Sequence, residues 1–155
     1  MEHTKLIVDF YTAFSEGNAH EMKACYHDEI TFHDPAFGEL KGERACKMWE
    51  MLLSRKKQIE RIELIDFECN DETGSANWKA VYRFGPKKRK VVNHVHAVFK
   101  FNDGKIVEHH DSFNLWKWSR QALGPIGWFL GWTPFMQRKI QTSTNKQLDK
   151  YLKKF

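Results

Sequence analysis

Between residues 2 and 15, Leu6, Phe10, Ala13 and Phe14 recur at helical spacing. That predicts a first helix over about Glu2 to Ser15, ended by Gly17. Asn18 is placed to cap a second, short helix holding Met22 and Cys25. Ile30, Phe32 and Asp34 then alternate as a strand that Pro35 stops. A residue before proline is pushed toward extended geometry, so Asp34 is held stiffly at the strand end. Phe37 to Gly42 reads as a tight turn and a short return strand. From Glu43 to about Lys56, Ala45, Met48, Trp49 and Leu52 fall on one face of a third helix. The period then changes from helical to alternating. Ile62 and Leu64 switch phase to Ile65, Phe67 and Cys69, which predicts a bulge. Ala76, Trp78, Ala80, Tyr82 and Phe84 alternate with polar residues, and Val91 to Phe101 reads as a further long strand. After an Asn102-Asp103-Gly104 turn, KIVEHHDSFN (Lys105 to Asn114) alternates again. Helices first and consecutive strands afterwards give an α+β class with an antiparallel sheet.

The last part of the chain breaks both periods. Leu115 to Phe135 holds Trp116, Trp118, Trp128, Phe129, Trp132 and Phe135, interrupted by Gly124-Pro125, Gly127, Gly131 and Pro134. The spacing predicts two short helical pieces, then a final helix from about Phe135 to Leu152. Residues 1–155 are read as a single domain, with a core over about 1–114 and a helical extension over about 115–155. Such an aromatic flap can cover a cavity, pack a dimer interface or lie on a membrane. The glycines and prolines prevent one continuous amphipathic helix, so no membrane partner is expected.

Composition narrows the function classes. Hydrophobic residues make up 41% of the 155, as in a globular domain. Charges break every apolar cluster short of a membrane-spanning length. The N-terminus shows no basic stretch followed by an apolar run, so a cytoplasmic location is expected. The net charge is +5. Its densest part, Lys87 to Lys90 after Gly85-Pro86, reads as a solvated hairpin tip. With no aromatic stacking series beside it, no nucleic-acid partner is expected. Cys25, Cys46 and Cys69 form no CxxC pair and read as reduced thiols.

The candidate chemistry lies mainly in KIVEHHDSFN. Strand parity puts Val107, His109, Asp111 and Phe113 on one face. His94-x-His96 is a possible pair of metal ligands, but no spaced Cys/His set supports it, and no metal is expected. No glycine-rich phosphate loop or GxSxG elbow occurs. What remains is two carboxylates, Asp34 and Asp111, with His109. In a poorly hydrated cleft a carboxylate becomes a competent general base, because burial raises its proton affinity.

FYTAFSEGNAHEMKACY, ITFHDPAFGELKG and GKIVEHHDSF, in that order, resemble the nuclear transport factor 2 superfamily and most closely its SnoaL-like and ketosteroid-isomerase-like branch. The resemblance covers about Met1 to Asn114. It implies a conical fold, a curved antiparallel sheet wrapped around the N-terminal helices, with a deep apolar pocket. It also implies a homodimer through the outer sheet face and chemistry without a cofactor. The isomerase's catalytic aspartate before proline falls on Asp34. Its oxyanion tyrosine falls on Phe10, with Tyr11 adjacent but pointing elsewhere, and its second oxyanion donor falls on or near Ala97. Neither Phe10 nor Ala97 carries a donor, so steroid isomerisation by that route is not expected. Asp111 lies near the catalytic aspartate of SnoaL-like cyclases. Placing Ala97 inward also turns Asn93 inward and His94 and His96 outward. The expected catalytic set is Asp34, Asp111 and His109. The expected pocket wall is Phe10, Phe32, Phe37, Met48, Trp49, Asn93, Ala97 and Phe113. The expected ligand is a small hydrophobic molecule, carbonyl-bearing or polycyclic. Acid–base catalysis of the isomerase or cyclase type and plain ligand binding or dimerisation both stand open.

Overall fold

The computed structural model describes residues 2–154. Helix α1 (Glu2–Ser15) buries Ile7, Phe10, Tyr11, Ala13 and Phe14 on one face. Gly17 takes a positive φ of 73° there, a conformation that glycine adopts without strain. Asn18 caps α2 (Ala19–Cys25) through its side chain, as its position predicts. Strands β1 (Tyr26–Asp34) and β2 (Gly38–Lys41) form a hairpin, followed by α3 (Glu43–Leu53) and a single 3-10 turn at Lys56–Gln58. Strands β3 (Ile59–Cys69), β4 (Thr73–Phe84), β5 (Arg89–Asn102) and β6 (Lys105–Ser112) complete a curved six-stranded sheet in the order β2-β1-β6-β5-β4-β3. The α+β class and the helices-then-meander order follow the sequence expectation.

The register carries two departures from that expectation, and both shape the site. First, β1 and β6 pair in parallel, while the other pairs run antiparallel. The chain between them is long enough to bring β6 back in the direction of β1. Phe32 lies opposite His109, so Asp34 and Asp111 come to the same end of neighbouring strands. Second, the expected face of Val107 with His109 is broken. The β5–β6 register shifts next to Val107, so Ile106 is buried instead, and His109 and Asp111 keep the inner face. A second shift, at Ile65 in β3, is the predicted bulge, with Ile65 left exposed. Bulges bend and twist a sheet, and here they help it curl around α1 and α3.

The extension folds as three helices: α4 (Leu115–Leu123), α5 (Pro125–Leu130) and α6 (Pro134–Leu152). A large core packs α1, α2 and α3 on the sheet. A smaller cluster of Val91, Trp118, Ala122, Met136 and Ile140 seats α4 and α6 over the open end of β4 and β5. Helix α6 then runs back to α3, where Arg44 meets Asp149 at 2.7 Å and the Tyr151 hydroxyl donates to Glu50 at 2.9 Å.

Candidate functional site

A cavity of about 370 Å³ opens between the concave face of the sheet, α3, α4 and α6. Its wall includes Phe14, Trp49, Ile62, Trp78, Ala80 and Val95, together with Trp118, Leu123, Met136 and Ile140 from the extension. Of the tail's aromatic residues Trp118 covers this chain's own cavity, while Trp116, Trp128, Phe129, Trp132 and Phe135 stay exposed. Against that apolar lining stand two carboxyls, Asp34 and Asp111.

Asp34 sits where β1 stops at Pro35. Its Oδ1 accepts the Phe37 backbone N–H at 2.6 Å, which fixes the turn. The turn carbonyls are held in their turn by α6. Gln141 donates to Pro35, the Thr144 hydroxyl to Ala36 and Asn145 to Phe37, at 3.1, 2.7 and 2.8 Å. Burial pushes the Asp34 carboxyl up to about 7; the Phe37 amide opposes the rise and the Asp111 charge adds to it. Asp34 is thus a group that exchanges a proton near neutrality.

Asp111 is 2% exposed and is held from behind by a chain of polar side chains. Trp49 Nε1 donates to the Tyr26 oxygen at 2.9 Å. That oxygen lies 2.7 Å from His109 Nδ1, and His109 Nε2 lies 2.9 Å from Asp111 Oδ1. Burial raises the Tyr26 phenol well above its usual range, so it keeps its proton. With the indole already donating to Tyr26, the phenol proton goes to His109 Nδ1, and His109 donates from Nε2 to Asp111. This tautomer is assigned from the network: it alone satisfies every member. Trp78 Nε1 adds a longer contact to the same oxygen at 3.4 Å.

Of the residues singled out in the sequence, Asp34, Asp111, Phe37, Trp49, Asn93 and Phe113 line the cavity. His109, Phe10, Phe32, Met48 and Ala97 are fully or almost fully buried behind that wall. Phe10 and Phe32 pack edge-on against the His109 ring at 5.5 and 5.1 Å, so they orient the relay rather than face a ligand. Ala97 is the register partner of Asp111 and is fully buried. Tyr11 turns its ring toward Trp78 and Phe99, and its buried hydroxyl has no partner among the described residues. His94 and His96 point outward, and among the described residues no group of three His, Cys, Asp or Glu can hold a metal ion.

Tyr82 was missed as chemistry. Its period-2 position marks only an inward strand residue. In the fold Tyr82 lines the cavity, and its hydroxyl accepts Trp118 Nε1 at 2.6 Å. Its own proton has no acceptor among the described residues, so it is free for a ligand oxygen. Burial pushes the phenol up to about 12, with the Asp34 charge adding to the rise, so it remains a donor. No sequence signal pairs residue 82 with residue 118; only the extension folded over β4 makes that contact.

Comparison with known proteins places this geometry. A family model described as a SnoaL-like domain matches residues 7–109. No curated protein matches the sequence. Among solved structures, a protein of ketosteroid isomerase-like fold from Catenulispora acidiphila DSM 44928, in complex with trimethylamine, superposes with a TM-score of 0.64. It is 14% identical, over 83% of this chain and 97% of that one. An LEH-like epoxide hydrolase of M. tuberculosis gives 0.63 at 18% identity, over 83% and 96%. TerC, co-crystallised with polyporic acid, gives 0.62 at 12% identity, over 74% and 92%. At such identities these structures share the fold with this chain. With two thirds of its length matched by the family model, the chain belongs to the SnoaL-like domain family.

Proposed function

We propose that this protein binds a small hydrophobic carbonyl compound in the cavity and moves a proton on it, as an isomerase or cyclase does. One observation carries the reading: a carboxyl whose proton affinity burial raises lies on an apolar wall shared with a second carboxyl and a free phenol donor. In this reading the ligand's carbonyl oxygen takes the Tyr82 hydroxyl. Asp34 removes a proton from the carbon next to the carbonyl, and the enolate oxygen is stabilised by Tyr82 and the Asn93 amide. Asp34 then returns the proton at another carbon. Asp111, held by His109, gives the far end of the ligand a fixed acceptor. Tyr82 would thereby replace the donors absent at Phe10 and Ala97. The small molecules in the trimethylamine and polyporic acid complexes support a ligand-holding use of the fold.

A screen of polycyclic and linear ketones by thermal shift, followed by deuterium exchange at the carbon next to the carbonyl, tests this. A bound ketone should exchange with an apparent pKa near 7. Asp34→Asn should abolish exchange while leaving binding. Tyr82→Phe should slow it by about 10²–10³. A ketone that binds but exchanges equally in wild type and Asp34→Asn leaves plain binding as the function.

A further inference from the structure

Helix α5 and the turns around it leave Ile126, Trp128, Phe129, Leu130, Trp132 and Phe135 facing solvent, with Phe129 77% and Trp132 66% exposed. A contiguous apolar tip of this size marks an interaction surface. It is held rigidly outward. Gly127 lies so close to the Ser119 carbonyl that an added Cβ would overlap it, so α5 is pressed on α4 by its glycine face and turns its bulky residues away. The Arg120 guanidinium lies 4.4 Å and 4.7 Å from the Trp116 and Trp128 rings and locks them together.

Beside the tip lies a basic recess formed by Arg83, Lys88, Arg89, Lys90, Lys117 and Arg120, which Trp128 also lines. No acidic residue occurs between Thr73 and Asn102 or between Ser112 and Leu148, the segments that line this recess, and of its cations Arg83 is paired with Glu60 of β3 at 2.9 Å. A protruding apolar tip beside a basic recess is complementary to an anionic bilayer, where tryptophan favours the headgroup level and Lys and Arg meet lipid phosphates. A second copy of the chain is the wrong complement, because it would bring two basic recesses together.

We infer that the α4–α5 flap docks this protein on an anionic lipid surface, with its aromatic tip in the headgroup–acyl boundary and its basic recess on the phosphates. The attachment is interfacial: among the described residues no helix is long and apolar enough to cross a membrane. A continuous amphipathic helix is unnecessary, since tertiary packing already presents the tip. Trp118 and Leu123, which line the cavity, belong to α4, and Met136 beside them opens α6, so docking would bring the cavity's extension wall to the lipid. The inference stands without the proton-transfer reading.

Flotation of the full chain with phosphatidylcholine vesicles, with and without phosphatidylserine, tests it. Binding should be about tenfold or more tighter with phosphatidylserine, should fall as salt rises, and should shift tryptophan emission to the blue. Ile126→Ser with Phe129→Ser, both at exposed positions, should lose binding, as should Lys88→Glu with Lys90→Glu on the hairpin tip. Melting temperatures near wild type keep these variants interpretable, and the salt titration tests the wild type itself. Failure to float, equal binding to neutral and anionic vesicles, or unimpaired binding by both double variants overturns the inference. So does sedimentation velocity showing that the tip is covered in a dimer that the serine variant dissociates.

Discussion

Tyr26 is the residue on which the buried relay turns. It is 5% exposed, accepts the Trp49 indole N–H and donates to His109. Removing the hydroxyl leaves one donor and one acceptor unsatisfied in the core, and unsatisfied buried groups cost more than the bonds they made. Tyr26→Phe is expected to lower unfolding free energy by about 1–3 kcal/mol in urea titration. It should also release His109 from its single tautomer, visible as a change in the imidazole nitrogen shifts. In the sequence Tyr26 is one aromatic residue after a short helix, with nothing to tie it to Trp49 or His109. The carboxyls were more legible, because Asp34 precedes a proline and Asp111 shares a strand face with His109. Those are local constraints, whereas the Tyr26 and Tyr82 hydroxyl bonds join residues far apart in the chain.

Among the elements, α5 depends on how closely it approaches α4. Ser119 is completely buried beneath it, and both Gly127 and Gly131 face that residue. Gly127→Ala forces backbone apart at the crossing and is expected to cost at least about 1–3 kcal/mol, the range for overpacking a close contact. A lowered thermal midpoint with increased hydrogen exchange in α4 and α5 would register the loss. A wild-type midpoint would mean that the flap is looser than its geometry. The sequence marked Gly127 and Gly131 as helix breakers. In the fold they serve as contact points between two helices, a role that only the neighbouring helix defines. Helix α6 shows the same dependence: its polar residues Gln141, Thr144 and Asn145 look like a solvated face, yet they bind the turn that carries Asp34.

For the whole molecule, the raised Asp34 carboxyl couples stability to pH. The folded state holds this proton up to about 7, while in the unfolded chain the group ionises near its ordinary value. The folded state therefore binds more protons between about pH 4 and 7, and stability falls as pH rises through that window. The contribution is fully present below the unfolded value and lost above the folded one. Asp34→Asn retains an acceptor for the Phe37 amide and carries no charge. It is expected to be more stable than wild type above neutral pH, by an amount of order 2–4 kcal/mol, and to lose the advantage near pH 4. Denaturation of both proteins across pH measures it, and parallel curves would show Asp34 ionising normally.

The sequence alone determined the elements, the α+β class, the bulge at Ile65 and the shared face of His109 and Asp111, because periodicity, caps and proline geometry act between near neighbours. It did not determine the parallel β1–β6 pairing, the side-chain relay behind Asp111, the free Tyr82 donor or the direction of the aromatic flap. Each of those is a contact between different elements of the fold, from Ser119 and Gly127 in adjacent helices to Tyr26 and His109, 83 residues apart. Such contacts arise when the sheet curls and the extension closes over its open end, a step driven by burial of apolar surface, which has no period along the sequence.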